Sequence, residues 1–283
     1  MKPFDAPLLP PGVSPVQVTA WRDARAQPQA DWLADEVPVA LVFNGISHAV
    51  MLASPADLED FALGFGLTEG LLDSPAELYG VELQAVAEGI EVHLEVAAAC
   101  EWRLKERRRT LAGRTGCGLC GTDSLSQVRR TLPPVPARQF SAQALTRAQR
   151  ELRLSQAVQQ LTGATHAAAW CASDGEVRLV REDIGRHNAL DKLIGALVRA
   201  GIDAGEGFIC ITSRASFEMV QKTAMAGVGA LAAVSAPTAL AVQTAQQCGL
   251  ALAGFVRGDT LVAYTFPERF GLDASSQGTQ HAH

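Results

Sequence analysis

From Gly163 onward, short apolar runs alternate with segments of helical periodicity, and this alternation limits the fold more than any other feature of the 283-residue chain. The runs are Ala167 to Ala172, Glu176 to Arg181, Gly207 to Thr212 and Gly229 to Val234, followed by two closing strands. Between them the periodicity predicts helices over about Arg186 to Ala200, Ala215 to Ala226 and Pro237 to Gln247. Strands separated by helices pair through crossovers, so the pattern predicts a largely parallel or mixed α/β sheet covered by helices on both faces. Such sheets bind ligands at strand ends and in the loops that follow them.

Residues 37–135 predict a separate α+β unit. Val37 to Phe43 and Ile46 to Leu52 flank Asn44-Gly45, a strong hairpin signal because both residues tolerate positive φ. Ser54-Pro55 before Asp57-Leu-Glu-Asp-Phe61 predicts a helix capped by Ser54, with helical spacing running to Leu72. Strands near Val81 to Val86 and Ile90 to Val96 complete the unit. Residues 1–36 predict an extension with a first strand, Pro133, Pro134 and Pro136 a linker, and Ser141 to Leu161 a capped helix that opens a second domain over 136–272. Residues 273–283 predict a disordered tail.

The composition, 48% hydrophobic and 19% charged, is that of a folded globular chain. No run approaches the ~18 apolar residues of a membrane span. Met1 to Pro15 lacks the basic start and apolar run of a secretory signal. The expectation is a cytoplasmic protein that engages no membrane. A net charge of -6 speaks against general nucleic-acid binding, yet residues 101–150 hold eleven Arg or Lys against three acids, Glu101, Glu106 and Asp123. That local excess of +8 suits an anionic cofactor or an acidic partner, although Arg103, Lys105 and Arg107 to Arg109 also fit a solvated helix face.

Six cysteines are present, most of them single within apolar segments such as Phe208-Ile-Cys-Ile-Thr212, which predicts buried thiols in a reducing compartment. Cys117-Gly-Leu-Cys120 differs. It lies in Gly113 to Gly121, where four glycines in nine residues exclude a stable helix interior and predict a mobile loop. Two thiols so placed can exchange a sulfur atom or form a disulfide, and Arg114 or a helix start at Asp123-Ser124 would favour the nucleophilic thiolate. Structural zinc would need further ligands, such as His93 and Cys100, because no second Cys pair exists. A thioredoxin-like motif should open a helix without flanking glycines. A persulfide carrier on a swinging loop meets neither objection.

Three further clusters follow predicted strands. In Val180 to Lys192, Arg181 and Arg186 are candidate phosphate donors, and His187 and Asn188 occupy a first helical turn that favours anions. A purely structural alternative makes Asp183 the helix cap. In Thr212 to Glu218, Ser213 and Arg214 follow a strand, with Ser213 alternatively an N-cap. In Gly254 to Thr260, Arg257-Gly258-Asp259 offers an anion donor, close backbone approach and an acceptor, or forms a plain hairpin turn. His166, at the start of an apolar strand, could be a core histidine, a metal ligand or a ligand contact, and a lone histidine favours the first.

The motifs Gly116-Cys-Gly-Leu-Cys-Gly121, Thr165-His-Ala-Ala168, Arg181 to Lys192, Ser213-Arg-Ala-Ser-Phe-Glu-Met-Val-Gln-Lys222, Ser235-Ala-Pro-Thr238 and Gly254-Phe-Val-Arg-Gly258 occur together in this order. Over nearly the whole chain after Val37 it resembles the formate dehydrogenase accessory sulfurtransferases, the FdhD family. The resemblance implies that a persulfide is received from a cysteine desulfurase on Cys117, with Cys120 assisting. Its sulfur then passes to the molybdenum cofactor, bis(molybdopterin guanine dinucleotide), before that cofactor enters formate dehydrogenase. It further implies a homodimer and a C-terminal three-layer α/β domain of cytidine-deaminase-like fold. The implied cofactor site combines Phe255, Val256, Arg257, Gly258, Asp259 and Thr260 with the Arg181, Arg186, His187, Asn188, Ser213 and Arg214 clusters. GDP would mimic part of the ligand. Where many relatives place a Ser directly before the first Cys, this chain has Gly116, a change expected to affect loop mobility more than chemistry.

Two alternatives remain, a cofactor-binding chaperone for formate dehydrogenase without sulfur transfer and a zinc-dependent deaminase. The deaminase requires an H-x-E and a P-C-x-x-C motif, whereas His166 precedes Ala167 and Ala168 and no later C-x-x-C exists. Metal analysis of the purified protein is expected to find no stoichiometric zinc; a full equivalent would return the deaminase or a structural zinc site.

Overall fold

The computed structural model describes residues 9–112 and 132–272. The glycine-rich loop with Cys117 and Cys120, and the tail over 273–283, lie outside the described residues. The described residues form three sheets.

The first is a ribbon, β1 (Val13–Arg22) paired antiparallel with β2 (Arg25–Ala34) and closed at Asp23-Ala24, both with positive φ. The sequence suggests only one strand here. Most of β2 is exposed, and both strands contain a proline, so the alternation that would betray a second strand is missing.

The second sheet has the order β4-β3-β6-β5, with β3 (Val37–Phe43), β4 (Ile46–Ala53), β5 (Leu78–Val86) and β6 (Gly89–Val96). Asn44-Gly45 makes the expected turn between β3 and β4. α1 (Leu58–Thr68) and α2 (Ala98–Ala112) cover one face, burying Phe61 and Leu104 against Val39, Leu41, Phe43, Val92 and Leu94. Ser54 does not cap α1. The N-cap is Asp57, and Ser54 turns away: its N–H donates to Asp183 Oδ2 at 2.9 Å and its hydroxyl accepts from the Ile184 N–H. A distant partner has outcompeted the local one. The helix also stops at Thr68 rather than Leu72, because the Leu71 and Leu72 N–H groups both fold back onto the Gly66 carbonyl.

The third sheet has the order β12-β11-β10-β9-β7-β8, built from β7 (His166–Cys171), β8 (Val177–Asp183), β9 (Phe208–Ile211), β10 (Ala230–Ala233), β11 (Ala251–Arg257) and β12 (Thr260–Ala263). β9, β10 and β11 are parallel, and β7, β8 and β12 join antiparallel. α3 (Ala142–Ser155) lies on one face, with Leu145 and Leu152 against Ala169, Phe208 and Cys210. Ser141 caps it as expected, accepting from the Ala144 N–H at 3.0 Å. The helical run expected to continue to Leu161 breaks at Gln156. It resumes as the short α4 (Ala157–Thr162), whose first amides, Val158 and Gln159, donate to the Glu182 carboxylate of β8. α5 (Arg186–Arg199), α6 (Phe217–Met225) and α7 (Ala239–Cys248) cover the other face through Leu193, Val220 and Ala245. The result is mixed α/β in three layers.

The second and third sheets are joined where α1 crosses α5. A Cβ on Gly64 would stand 1.8 Å from the Asp191 carbonyl oxygen, and one on Gly195 would stand 1.9 Å from that of Asp60, so only glycine permits this approach. Three ionic clusters frame the crossing. Lys192 Nζ is 2.7 Å from Asp183 and donates to the Ser54 carbonyl; Lys222 Nζ bonds Asp191, Glu69 and Thr68; Arg181 and Arg199 both hold Asp60. Burial pushes the Lys222 ammonium down, but Asp191 and Glu69 more than reverse this and its pKa is raised.

Gly195→Ala is expected to cost at least ~1–3 kcal/mol, since its methyl group meets backbone. Lys222→Met strands the buried Asp191 and is expected to cost about 3–5 kcal/mol. Urea unfolding of each variant checks both values; midpoints at the wild-type position would show that the crossing contributes nothing to stability.

Candidate functional site

One rim of the six-stranded sheet collects most of the clusters singled out in the sequence. β9, β10 and β11 end there. Because β7 runs antiparallel to β9 and β8 antiparallel to β7, the start of β7 and the end of β8 reach the same rim. His166 pairs in register with Asp183, and the Thr212 N–H donates to the Ala167 carbonyl. Arg186 and His187 in the first turn of α5, Ser213 and Arg214 after β9, and Arg257 to Thr260 at the β11–β12 turn therefore share one edge.

Arg186 makes no hydrogen bond or ion pair among the described residues, and its Nε is buried. His187 Nε2 lies 3.0 Å from Glu218 Oε2 of α6, close enough for a charge pair but out of line for a hydrogen bond. The adjacent His187 ring is the largest influence holding the Glu218 carboxyl down to about 2, against the opposing cost of burial. Ser216 supports it with a hydrogen bond at 3.2 Å. Burial, followed by the charges of Arg186 and His187, lowers the pKa of His166. Arg214 is exposed and makes no ion pair among the described residues. The rim is rich in positive charge.

At the neighbouring turn, Arg257 Nε donates to the Val234 carbonyl at 2.8 Å, tying β11 to the end of β10. Thr260 donates to the Arg257 carbonyl, and Arg150 of α3 reaches the Gly258 carbonyl and the Asp259 carboxylate. Val256 is buried, whereas Phe255 is 40% exposed with φ 50, beside a register shift in β11. A non-glycine residue held at positive φ on a rim is strain that the surrounding pairing must enforce. Between this turn and α3 lies a cavity of about 400 Å³ bordered by Arg150, Arg153, Thr212, Arg257 and Gly258. Nothing local to α3 marks Arg150 or Arg153; the basic excess of residues 101–150 touches only Arg150, and it equally suits a solvated face.

Two expected ligand residues are committed elsewhere. Arg181 is engaged on Asp60, and Asn188 Nδ2 donates to the Leu52 carbonyl at 2.8 Å and to Asp183 at 3.0 Å. Arg181 thereby ties β8 to α1, and Asn188 ties α5 to β4 and β8. Asp183 is not the N-cap of α5, a place taken by Gly185, although it accepts the Gly185 N–H. Ser213 is not the cap of α6 either: Ser216 occupies that position, and the Ser213 hydroxyl donates to the Arg214 carbonyl.

Cys100, Cys171, Cys210 and Cys248 are all buried and form no disulfide. Burial, with Cys210 alongside, pushes the Cys171 thiol well up, and burial raises Cys248. Such thiols are poor nucleophiles. Cys117 and Cys120 lie outside the described residues. His93 is occupied by Glu91, and among the described residues no group of three or more His, Cys, Asp or Glu is arranged to hold a metal. No helix of the described residues is long and apolar enough to cross a membrane.

The profile of the FdhD/NarQ family matches residues 34–271, spanning the second and third sheets and the rim. The chain belongs to the FdhD/NarQ family. FdhD relatives are alike over nearly their whole length. The sulfur carrier protein FdhD of Variovorax paradoxus is 59% identical over 274 residues, 96% of this chain and 99% of that one. The protein of the same name from Cupriavidus necator is 56% identical over 267 residues, covering 94% and 93%. A crystal structure from Desulfotalea psychrophila, assigned to a formate dehydrogenase accessory protein, shares the fold with a TM-score of 0.73 at 20% identity, over 92% of this chain and 99% of that one.

Glu218 titrates in the fold near 2 instead of near 4.5, so its stabilising effect is present above about 4.5 and is lost as the pH falls toward about 2. Its side chain is 54% exposed, which keeps the effect modest. Glu218→Gln is expected to flatten the acid limb of stability between about pH 5 and about pH 3, checked by urea midpoints across that range. An unchanged slope would remove the His187 pairing as its cause.

Proposed function

We propose that this FdhD/NarQ protein is a sulfur carrier that serves formate dehydrogenase through a cysteine persulfide. The observation that carries the reading is the 59% identity, over 96% of the chain, with a protein named sulfur carrier protein FdhD. The Cys117 thiolate attacks the terminal sulfur of a persulfide on a cysteine desulfurase. The donor's S–S bond breaks, the donor leaves as a thiolate, and Cys117 keeps the sulfur as its own persulfide. Attack by the Cys120 thiolate on the inner sulfur then forms a Cys117–Cys120 disulfide and expels hydrosulfide, the two thiols supplying both electrons. The burial of Cys100, Cys171, Cys210 and Cys248 supports giving this chemistry to the remaining pair.

The acceptor is bis(molybdopterin guanine dinucleotide), a substrate here. The rim fits such an anion: Arg186 and Arg214 make no ion pair among the described residues, and Arg150, Arg153 and Arg257 border a cavity at strand ends. The phosphates would be held by these side chains and by the first-turn amides of α5, and GDP should occupy part of the site. The three-layer portion is consistent with a cytidine-deaminase-like domain over 136–272, following an α+β domain over 37–135. The working form is proposed as a cytoplasmic homodimer.

Intact-protein mass spectrometry after incubation with a cysteine desulfurase and cysteine is expected to show a gain of one sulfur on the wild type and none on Cys117→Ala. Formate dehydrogenase activation should fall to background with that variant. Activation that survives Cys117→Ala would instead make the protein a cofactor-binding chaperone, and no mass gain on the wild type would sink the carrier mechanism.

A further inference from the structure

Gln149 of α3 lines the rim cavity and is only 3% exposed. Its Nε2 donates, at 3.5 Å, to the Ile211 carbonyl at the end of β9. Its Oε1 is buried and has no hydrogen-bond partner. Exchanging the two amide atoms would bring Oε1 against the Ile211 oxygen, so the carbonyl is the end left without a partner beside the cavity. Leaving a buried acceptor unmet costs on the order of 1–3 kcal/mol, and native proteins rarely retain one without a use for it. The molecule that satisfies it must bring an N–H or O–H donor.

The same cavity is bordered by Arg150, Arg153 and Arg257, and Arg150 and Arg257 are already fixed by bonds to the Gly258 and Val234 carbonyls. Positive charge at the mouth and a lone acceptor inside select a ligand with phosphates at one end and a donor edge at the other. A cavity of about 400 Å³ admits one such group, within the roughly 300–1,000 Å³ usual for ligand sites. Guanine presents N1–H and the N2 amino group side by side, both donors, for a carbonyl with two lone pairs. Adenine presents an unprotonated N1 there, which would set lone pair against lone pair.

We infer that Gln149 is a specificity-determining residue whose Oε1 accepts a hydrogen bond from the base edge of a guanine nucleotide held by Arg150, Arg153 and Arg257. The inference rests on the proposed guanine-dinucleotide reading and adds a residue from α3 to it. It also separates two tasks within one pocket: arginines hold phosphate whatever the base, and Gln149 reads the base.

Calorimetric titration of the full-length protein with GDP, IDP, ADP and inorganic pyrophosphate tests this, comparing wild type with Gln149→Leu and Gln149→Met. Wild type should bind GDP and IDP, both with N1–H, more tightly than ADP. Either variant should weaken GDP by about 10-fold or more, bring it level with ADP, and leave pyrophosphate binding unchanged. The ligand-free melting temperature should not fall, because the substitution removes an unmet acceptor. GDP binding that is unaffected by both variants, or lost in parallel with pyrophosphate, overturns the role of Gln149 while leaving the carrier reading in place. Absence of any GDP binding by wild type would sink the proposed cofactor site and this inference together.

Discussion

The Asp183 carboxylate is the point on which the rest of the molecule is hung. It is fully buried and receives four donors: the Lys192 ammonium, the Ser54 and Gly185 N–H groups and the Asn188 amide. A charge so far from water survives only when every lone pair is met. Those four donors come from the segment before α1, from the β8–α5 junction and from two turns of α5. Satisfying one carboxylate thus sets the entry angle of α5, and with it the placement of Arg186 and His187 on the rim. The rim residues are firmly placed because the residues beneath them are saturated.

The sequence around Arg181 to Lys192 carries both tasks in a single string, which explains why it could be read only in part. Polar residues at a strand-to-helix junction signal either a ligand site or an interior network, and the choice depends on which side chains turn inward. Arg181, Asn188 and Lys192 turn toward residues 52–60, more than a hundred positions away, and no local pattern announces such partners. The alternation after Gly163 was legible for the opposite reason. Each strand is a short apolar run and each helix an amphipathic one, so period and burial agree within every segment. The same logic explains the Asn44-Gly45 turn and the Ser141 cap, whose signals and partners are local. Where the signal was local and its partner distant, as at Ser54, the expectation failed. The β1–β2 ribbon had too little apolar content to signal at all.

The rim shows how a mixed sheet gains from β7 and β12, the two strands that run opposite to β9, β10 and β11. In an all-parallel sheet only strand ends would face the site. Here reversed β7 contributes its beginning, which brings His166 beside the first turn of α5, and β12 closes the turn that carries Arg257 to Thr260. Residues from five stretches of sequence meet without a long loop. α3 then supplies Arg150, Arg153 and Gln149 from the opposite face, where they read as an ordinary amphipathic helix until the strands are placed beneath them.

The paired glycines of the α1–α5 crossing set a mechanical character. With Gly64 against the Asp191 carbonyl and Gly195 against that of Asp60, backbone rests on backbone with no side chain to act as a spring. The helices cannot slide along one another by swapping rotamers, because at these two points there are none to swap. Their inner amides should therefore exchange hydrogen with solvent only when both cores open together, and the two sheets should respond to force or denaturant as one cooperative body.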